Sequence, residues 1–227
     1  MIKPNLNSAL YGTVVPGSSY SPWNADAEFS QVYTSIAENT LVDKYRCWEL
    51  WQLVDQTRDI PGDLLEVGVW RGGTGALIAK RAASSGIDGA IILCDTFAGV
   101  VKAGELDNIY SGGEHADTSL EVVSNLLAAM SLGNSLILCG IFPDDTGSMV
   151  ADRCFRFVHV DVDVYQSAKD VGDWVWPRLS VGGVVVYDDY GIEATLGVTR
   201  FVDEQQRLSD RLTIYNLNGH AVVIKLR

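Results

Sequence analysis

Short β-branched runs alternate with helical segments along most of this chain, and this alternation constrains the fold more than any other feature of the sequence. Strands are predicted at residues 63–69, 90–95, 136–139, 155–162 and 184–187. Helices are predicted between them at 74–84, 118–130 and 167–176, the second with Thr118 as its cap. Strands that alternate with helices through short connections form a parallel sheet covered by helices. We therefore predict an α/β fold with a doubly wound, mostly parallel sheet.

Both ends of the chain depart from this alternation. Residues 1–35 are rich in Ser, Asn, Pro and Gly, and we assign them to an N-terminal arm that precedes one domain at 36–227, although a helical pattern already runs from 28 to 59. Near the C-terminus, a helix at 196–208 is followed by strand patterns at 212–217 and 221–226. Asn218-Gly219 between the two strands predicts a hairpin. An antiparallel strand would then close the sheet.

Residues 98–117 interrupt the rhythm with four glycines among polar residues. Connections of this length are uncommon unless they are functional. This one follows the second strand, so we expect it to lie over the ligand crevice. Two interpretations stay open, a mobile lid and a well-ordered insertion. We call the segment the lid, and its His115 is a candidate substrate contact.

The net charge of −12 disfavours nucleic acid or an anionic membrane as a partner. No apolar run approaches the roughly 18 residues of a membrane span. The N-terminus lacks the apolar core of a secretory signal, so we expect a cytoplasmic protein. The four cysteines show no CxxC spacing, which predicts buried free thiols and no zinc site.

Two pairs of aspartates follow two neighbouring strands of the predicted sheet. Asp161 and Asp163 end one β-branched run, and Asp188-Asp189 ends the next. The carboxyl ends of parallel strands line the ligand crevice, so up to four carboxylates meet there. Like charges at short range repel, and the cluster therefore needs a cation or shared protons. Oxygen ligands of this kind suit Mg2+, so the sequence predicts a metal site.

The first predicted strand ends in a glycine-rich turn, Glu66-Val67-Gly68-Val69-Trp70-Arg71-Gly72-Gly73. Its spacing differs from the GxGxxG dinucleotide fingerprint, which disfavours a Rossmann oxidoreductase. It resembles the ExGxxxG motif of S-adenosylmethionine-dependent methyltransferases, although a glycine cluster that only packs a strand on a helix is the alternative. Asp95 ends the second strand, where an acid can accept hydrogen bonds from ribose hydroxyls.

Five segments together resemble the macrocin O-methyltransferase family. They are EVGVWRGG at 66–73, DTFAG at 95–99, GIFPDDT at 140–146, HVDVDVY at 159–165 and GGVVVYDDY at 182–190. The resemblance runs from about residue 40 to the C-terminus. It implies a class I, Rossmann-like methyltransferase that uses S-adenosylmethionine and Mg2+ to methylate sugar hydroxyls of glycosylated bacterial natural products. It also implies a small-molecule glycoside as substrate and a homo-oligomer whose N-terminal segments help to close the site.

The resemblance also implies roles for individual residues. The cofactor-binding positions are Thr40, Glu66, Gly68, Gly72, Gly73, Thr74, Asp95, Thr96, Phe97, Gly140, Phe142 and Asp161. The metal-binding positions are Asp161, Asp188 and Asp189. Asp163 matches the general base, and whether Asp163 or Asp161 takes the proton is left open. Tyr165, Gln166 and Tyr190 flank the acids, and we expect them to shape the acceptor pocket with His115.

The expected chemistry starts from a sugar hydroxyl, which is hardly ionised at neutral pH. A bound divalent cation lowers the pKa of a coordinated oxygen, and a neighbouring carboxylate accepts the proton. We expect two adjacent substrate oxygens to chelate the metal. The alternatives are a methyltransferase of catechol-like phenols and a nonenzymatic S-adenosylmethionine-binding protein.

Overall fold

The computed structural model describes residues 10–15 and 17–227, so residues 1–9 and 16 of the predicted arm lie outside the described part. A seven-stranded sheet forms the centre of the described part, in the order β3-β2-β1-β4-β5-β7-β6. Its strands are β1 Asp63–Val67, β2 Ile91–Asp95, β3 Ser135–Cys139, β4 Phe155–Val160, β5 Leu179–Tyr187, β6 Arg211–Tyr215 and β7 Ala221–Lys225.

The first five strands are parallel, and β7 pairs antiparallel with both β5 and β6. The doubly wound sheet and the C-terminal hairpin are both confirmed. The chain moves outward from β1 through β2 to β3 and then returns to place β4 on the other side of β1. The strand order therefore reverses between β1 and β4, which is where open α/β sheets bind ligands.

Six α-helices cover the two faces of the sheet. They are α1 Ala27–Ile36, α2 Lys44–Gln56, α3 Gly73–Ser84, α4 Leu120–Ala129, α5 Tyr165–Val175 and α6 Leu196–Gln205. Helices α1 to α4 share one apolar core, and α5 and α6 share the other. In the described ranges, no helix is both long and apolar enough to cross a membrane.

Helix α1 lies inside the segment that we assigned to the arm. Its Phe29, Val32 and Ile36 recur at helical spacing and are buried in the first core. Asp26 caps the helix by accepting a hydrogen bond from the Phe29 amide at 2.8 Å. The folded body therefore includes these residues, and the helical pattern at 28–59 corresponds to two helices rather than one.

Several boundaries differ from the sequence prediction for local reasons. The cap of α4 is Ser119, whose hydroxyl accepts from the Val122 amide at 3.2 Å. Thr118, which we predicted as the cap, instead donates its hydroxyl to the carbonyl oxygen of Trp70. Cys139 and Cys154 are exposed, contrary to prediction, whereas Cys47 and Cys94 are buried. Cys139 ends the edge strand β3, whose outer side no strand covers.

Candidate active site

A cavity of about 220 Å3 opens beyond the carboxyl ends of β1, β2 and β4. It lies at the point where the strand order reverses. Most of the site residues predicted from the sequence line it. They are Thr40, Gly68, Thr74, Asp95, Thr96, His115, Gly140, Phe142, Asp161, Asp163, Asp188 and Asp189.

Four predicted cofactor-binding residues stand behind the cavity wall instead. Glu66 is buried, and its Oε1 lies 2.8 Å from Nδ1 of His159. Gly73 packs closely against the loop before α2. A Cβ at this position would lie 2.6 Å from the carbonyl oxygen of Asn39. Gly72 and Phe97 do not line the cavity either. None of these four residues lines the cavity, and their role in binding the cofactor stays a prediction.

The three predicted acceptor-pocket residues also lie away from the cavity. The Tyr165 hydroxyl donates to Glu204 at 2.9 Å, and the Gln166 amide donates to Asp170 at 2.7 Å. The Tyr190 hydroxyl donates to Asp203 at 2.8 Å. Tyr165 and Gln166 begin helix α5. The role of the three residues in the acceptor pocket stays a prediction.

Asp95 organises the glycine-rich turn. Its Oδ2 accepts hydrogen bonds from the amides of Val69 and Trp70, both at 2.8 Å. The turn needs Gly68, because its φ is +91° and a Cβ would lie 1.6 Å from the carbonyl oxygen of Asp161. The turn after β1 and the acids after β4 are thus in direct backbone contact. Asp95 also keeps acceptor capacity for a ligand, since a carboxylate has about four lone-pair sites.

Three carboxylates meet at the floor of the cavity. One oxygen from each of Asp161, Asp163 and Asp189 lies within 4.8 Å of the others. Asp163 and Asp189 have φ values of 64° and 68°, a backbone conformation that residues other than glycine rarely adopt. Such backbone strain persists only where the surrounding structure enforces it, and it concentrates at functional sites. The fold therefore holds these acids together against both repulsion and backbone preference.

The acid cluster lacks a positive charge of its own. Burial raises the pKa of Asp161 well above its ordinary value, and the charges of Asp188 and Asp189 add to the rise. The pKa of Asp189 is raised in the same way, first by burial and then by Asp188. Oδ2 of Asp189 is buried and has no hydrogen-bond partner among the described residues. Oxygen ligands at this spacing, with one unpartnered oxygen, fit a divalent cation, whose ligands lie at about 2.0–2.6 Å.

Asp188 also contacts groups outside this cluster, and its place in the metal-binding set with Asp161 and Asp189 stays a prediction. Its Oδ1 accepts from Nη1 of Arg46 at 2.5 Å and lies 3.2 Å from Nε2 of His220. Burial alone would raise the pKa of Asp188, but the positive charges of His220 and Arg46 outweigh burial and lower it. Asp188 therefore borders the acid cluster, while the cluster itself contains Asp163 in its place.

His220 connects Asp188 to helix α2. Its Nδ1 lies 2.6 Å from Oε2 of Glu49, and its side chain is fully buried. Burial alone would lower the pKa of this imidazole, but Asp188 and Glu49 raise it to about 9. The imidazole is consequently protonated at neutral pH. Arg46 and His220 together supply the two positive charges that lie under the floor of the cavity.

The lid covers the cavity and is fastened to the body. Asp107 accepts from the amides of Gly104 and Tyr165 at 2.8 and 2.9 Å, and Asn108 donates to the carbonyl oxygen of Glu193 at 2.7 Å. Ser167 donates to the carbonyl oxygen of Val101 at 2.9 Å. The structure thus shows the lid closed over the site, with contacts to α5 and to the segment after β5.

Two lid residues face the acids. Tyr110 and His115 both line the cavity, and the Tyr110 hydroxyl lies 3.3 Å from Nε2 of His115. Asp163 lines the same cavity, and Tyr110 is one of the groups that lower its pKa against the effect of burial. Sequence reasoning identified His115 but missed Tyr110, Arg46 and the wall formed by Trp70. Nothing in their spacing marks them, because each reaches the site through a loop or helix that is remote in sequence.

The fold and this site define an S-adenosylmethionine-dependent O-methyltransferase, and comparison with known proteins agrees. The model of the Macrocin-O-methyltransferase (TylF) family matches residues 28–222. The chain therefore belongs to this family, as its motifs predicted.

Individual relatives support the same assignment. The chain is 29% identical over 208 residues to Mycinamicin III 3''-O-methyltransferase of Micromonospora griseorubida, covering 85% of this chain and 80% of that protein. It is 29% identical to Demethyldecarbamoylnovobiocin O-methyltransferase of Streptomyces niveus over 67% of this chain and 62% of the relative. Among solved structures, the O-methyltransferase NovP superposes with a TM-score of 0.72 at 26% identity, covering 83% of each chain.

Proposed function

We propose that this enzyme transfers a methyl group from S-adenosylmethionine to a sugar hydroxyl of a glycosylated natural product, with a divalent cation such as Mg2+ bound beside the acceptor. The observation that carries the proposal is the group of three carboxylates, Asp161, Asp163 and Asp189, in contact with the glycine-rich turn. The relatives named for mycinamicin and novobiocin substrates support the acceptor class.

The cofactor half of the cavity is the turn after β1 and the ends of β2 and β3. In this proposal Asp95 accepts hydrogen bonds from the ribose hydroxyls while it holds the turn. Gly140 and Phe142 border the adenine, since both line the cavity beyond β3. Gly68 allows the turn to approach the methionine end closely. In this proposal the sulfonium methyl faces the acids.

Asp161 and Asp189 are the carboxylates that we propose as metal ligands. They belong both to the predicted ligand set and to the cluster of three carboxylates, and burial raises the pKa of each. When bound, the cation lowers the pKa of the acceptor hydroxyl and orients it. Asp161 and Asp189 thereby define where the acceptor oxygen lies.

Asp163 is the proposed base. Burial raises the pKa of its carboxyl above the ordinary value, while Tyr110 and His115 act in the opposite direction. A base whose pKa is raised toward neutrality accepts a proton more readily than an ordinary carboxylate. The oxygen then attacks the methyl carbon in line with the sulfur, and the carbon–sulfur bond breaks to release S-adenosylhomocysteine. Holding the reactants in line supplies much of the rate enhancement. The cytoplasmic location and the homo-oligomer stay predictions.

A direct test incubates the purified protein with S-adenosylmethionine, Mg2+ and matched acceptors. The panel pairs a glycosylated macrolide or coumarin with its aglycone and adds a simple catechol. We expect methylation of the glycoside only, its loss in EDTA, and its recovery when Mg2+ is returned. Asp173→Asn is the control for Asp161→Asn and Asp163→Asn, because Asp173 forms an exposed pair with Lys169 away from the cavity. Turnover that EDTA does not reduce would contradict the metal dependence. Turnover of the catechol alone would mean that the acceptor is a phenol rather than a sugar.

A further inference from the structure

Tyr110 is a lid residue that faces the cavity containing the proposed base, Asp163. Its hydroxyl lies 3.3 Å from Nε2 of His115, and Tyr110 lines the same cavity as Asp163, whose charge adds to the effect of burial in raising the pKa of Tyr110. The rings of Tyr110 and His115 have centroids 5.9 Å apart, and both rings line the cavity. Neither the family match nor the sequence motifs assign Tyr110 a role.

We propose that Tyr110 is a specificity-determining residue, which holds a neighbouring hydroxyl of the acceptor sugar and so selects the hydroxyl that reaches Asp163. This inference rests on the proposed function and adds a rule for regiochemistry. The geometry leaves little choice. An alcohol that gives its proton to Asp163 must lie about 2.6–3.2 Å from that carboxylate. It then lies in the cavity that Tyr110 and His115 also line.

A tyrosine hydroxyl can donate one hydrogen bond and accept others. Burial raises the pKa of Tyr110, and the charge of Asp163 raises it further, so the phenol stays protonated and acts as a partner for hydrogen bonds. Adjacent hydroxyls of a sugar ring are spaced so that one can contact Asp163 while the next contacts Tyr110. A ring turned the other way would present a different hydroxyl and lose the second contact.

The position of Tyr110 is fixed on both sides, as selection requires. The neighbouring Asp107 and Asn108 fasten this part of the lid to α5 and to the segment after β5. On the other side, the ring of His115 meets the ring of Trp70 edge to face, with centroids 6.5 Å apart. A hydroxyl held this firmly discriminates between acceptor orientations, because a bound ring cannot push it aside without breaking these contacts.

The test compares Tyr110→Phe with the wild-type enzyme, using the glycoside as acceptor. The change removes one oxygen atom and keeps the ring. Tyr33→Phe is the matched control, since Tyr33 is half-buried like Tyr110 but stacks on Phe29 in α1, outside the cavity. Three quantities are measured: kcat and KM for the acceptor, the position of the new methyl group by NMR, and the Kd of S-adenosylhomocysteine by calorimetry.

For Tyr110→Phe we expect kcat/KM for the acceptor to fall ten- to a hundredfold and a second methylated regioisomer to appear. The Kd of S-adenosylhomocysteine should stay within twofold, and Tyr33→Phe should keep one product. A single regioisomer from Tyr110→Phe would overturn the inference, whatever its rate. Tyr110→Gln gives a second test, because its amide keeps hydrogen bonding at a different reach and should change the product ratio.

The outcome for the wild-type enzyme separates this inference from the proposed function. Turnover of a catechol in place of the glycoside would refute the sugar acceptor but would leave Tyr110 testable through the ratio of the two monomethyl products. A wild-type enzyme that methylates neither class would contradict both proposals.

Discussion

Nη1 of Arg46 donates a hydrogen bond to Oδ1 of Asp188 at 2.5 Å, and this buried ion pair joins α2 to the end of β5. The same guanidinium holds Asp43, the N-cap of α2, at 2.8 Å. The side chain of Asp188 is 1% exposed, so its charge depends on Arg46 and His220 for compensation. Helix α2, which precedes β1, therefore helps to hold Asp188 at the site.

Arg46→Met should destabilise the protein by about 3–5 kcal/mol, because removing one member of a buried pair leaves the other charge uncompensated. Urea unfolding measures the change. Arg58→Met is the control, since Arg58 forms an exposed pair with Asp55 and its loss should cost less than about 1 kcal/mol. The double variant Arg46→Met, Asp188→Leu should recover much of the loss. Equal free energies of unfolding for Arg46→Met and Arg58→Met would contradict this account.

The contribution of His220 to stability should disappear in alkaline solution. Its folded pKa of about 9 lies above the ordinary value of 6.5. The stabilisation is thus complete below about pH 6.5 and is lost as the pH rises through 9. His220→Gln should be less stable than the wild type at pH 6, by on the order of 3 kcal/mol, and the difference should shrink by pH 10. A difference independent of pH in urea unfolding would refute the charged imidazole.

Asp95→Asn should weaken binding of S-adenosylhomocysteine at least tenfold, as measured by calorimetry. The asparagine side chain has only one accepting oxygen. It therefore cannot replace the carboxylate, which accepts from the backbone amides of Val69 and Trp70 and, in our proposal, from the ribose hydroxyls. Asp117→Asn is a matched control, because Asp117 contacts the same turn from the exposed side, through the Trp70 indole at 2.9 Å. If both variants bind the product equally well, Asp95 is only a structural residue.

Gly68→Ala should not yield a stable folded protein. The new Cβ would lie 1.6 Å from the carbonyl oxygen of Asp161, and the φ of +91° is unfavourable for alanine. Neither conflict can relax without separating the turn from the acids. Gly133→Ala is the control, since nothing lies within 4 Å of its added Cβ. Circular dichroism and melting curves of the two variants are compared, and a normal melt for Gly68→Ala would show that the backbone contact is dispensable.

Mg2+ should raise the melting temperature even without cofactor or acceptor. A ligand at a hundred times its Kd adds about 2.7 kcal/mol, or roughly 5–10 °C for a domain of this size. The raised pKa values of Asp161 and Asp189 mean that the folded protein without metal retains protons and gains stability as the pH falls. The Mg2+ effect should therefore be larger at pH 8 than at pH 6. Asp161→Asn should reduce it, and an unchanged shift would place the ion elsewhere.

Motifs local in sequence predicted the strands, the hairpin and the glycine-rich turn. The alternation of strand and helix patterns is sufficient to predict the fold, because each element must bury its apolar face and a doubly wound sheet covered by helices buries all of these faces. Asp161 and Asp163 do line one cavity, because residues after parallel strands lie at the same edge of the sheet. Most of helix α1 falls in the segment assigned to the arm, and its Phe29 and Val32 are buried there.

The sequence by itself determined the class of fold, the family and which strand ends carry the acids, because these follow from periodicity and from motifs of a few adjacent residues. Only the tertiary structure decided which acids meet. Adjacent in sequence, Asp188 and Asp189 separate because one turns to Arg46 and His220 while the other joins Asp161 and Asp163. Long-range charge pairing and loop packing make that choice, and no local pattern encodes either.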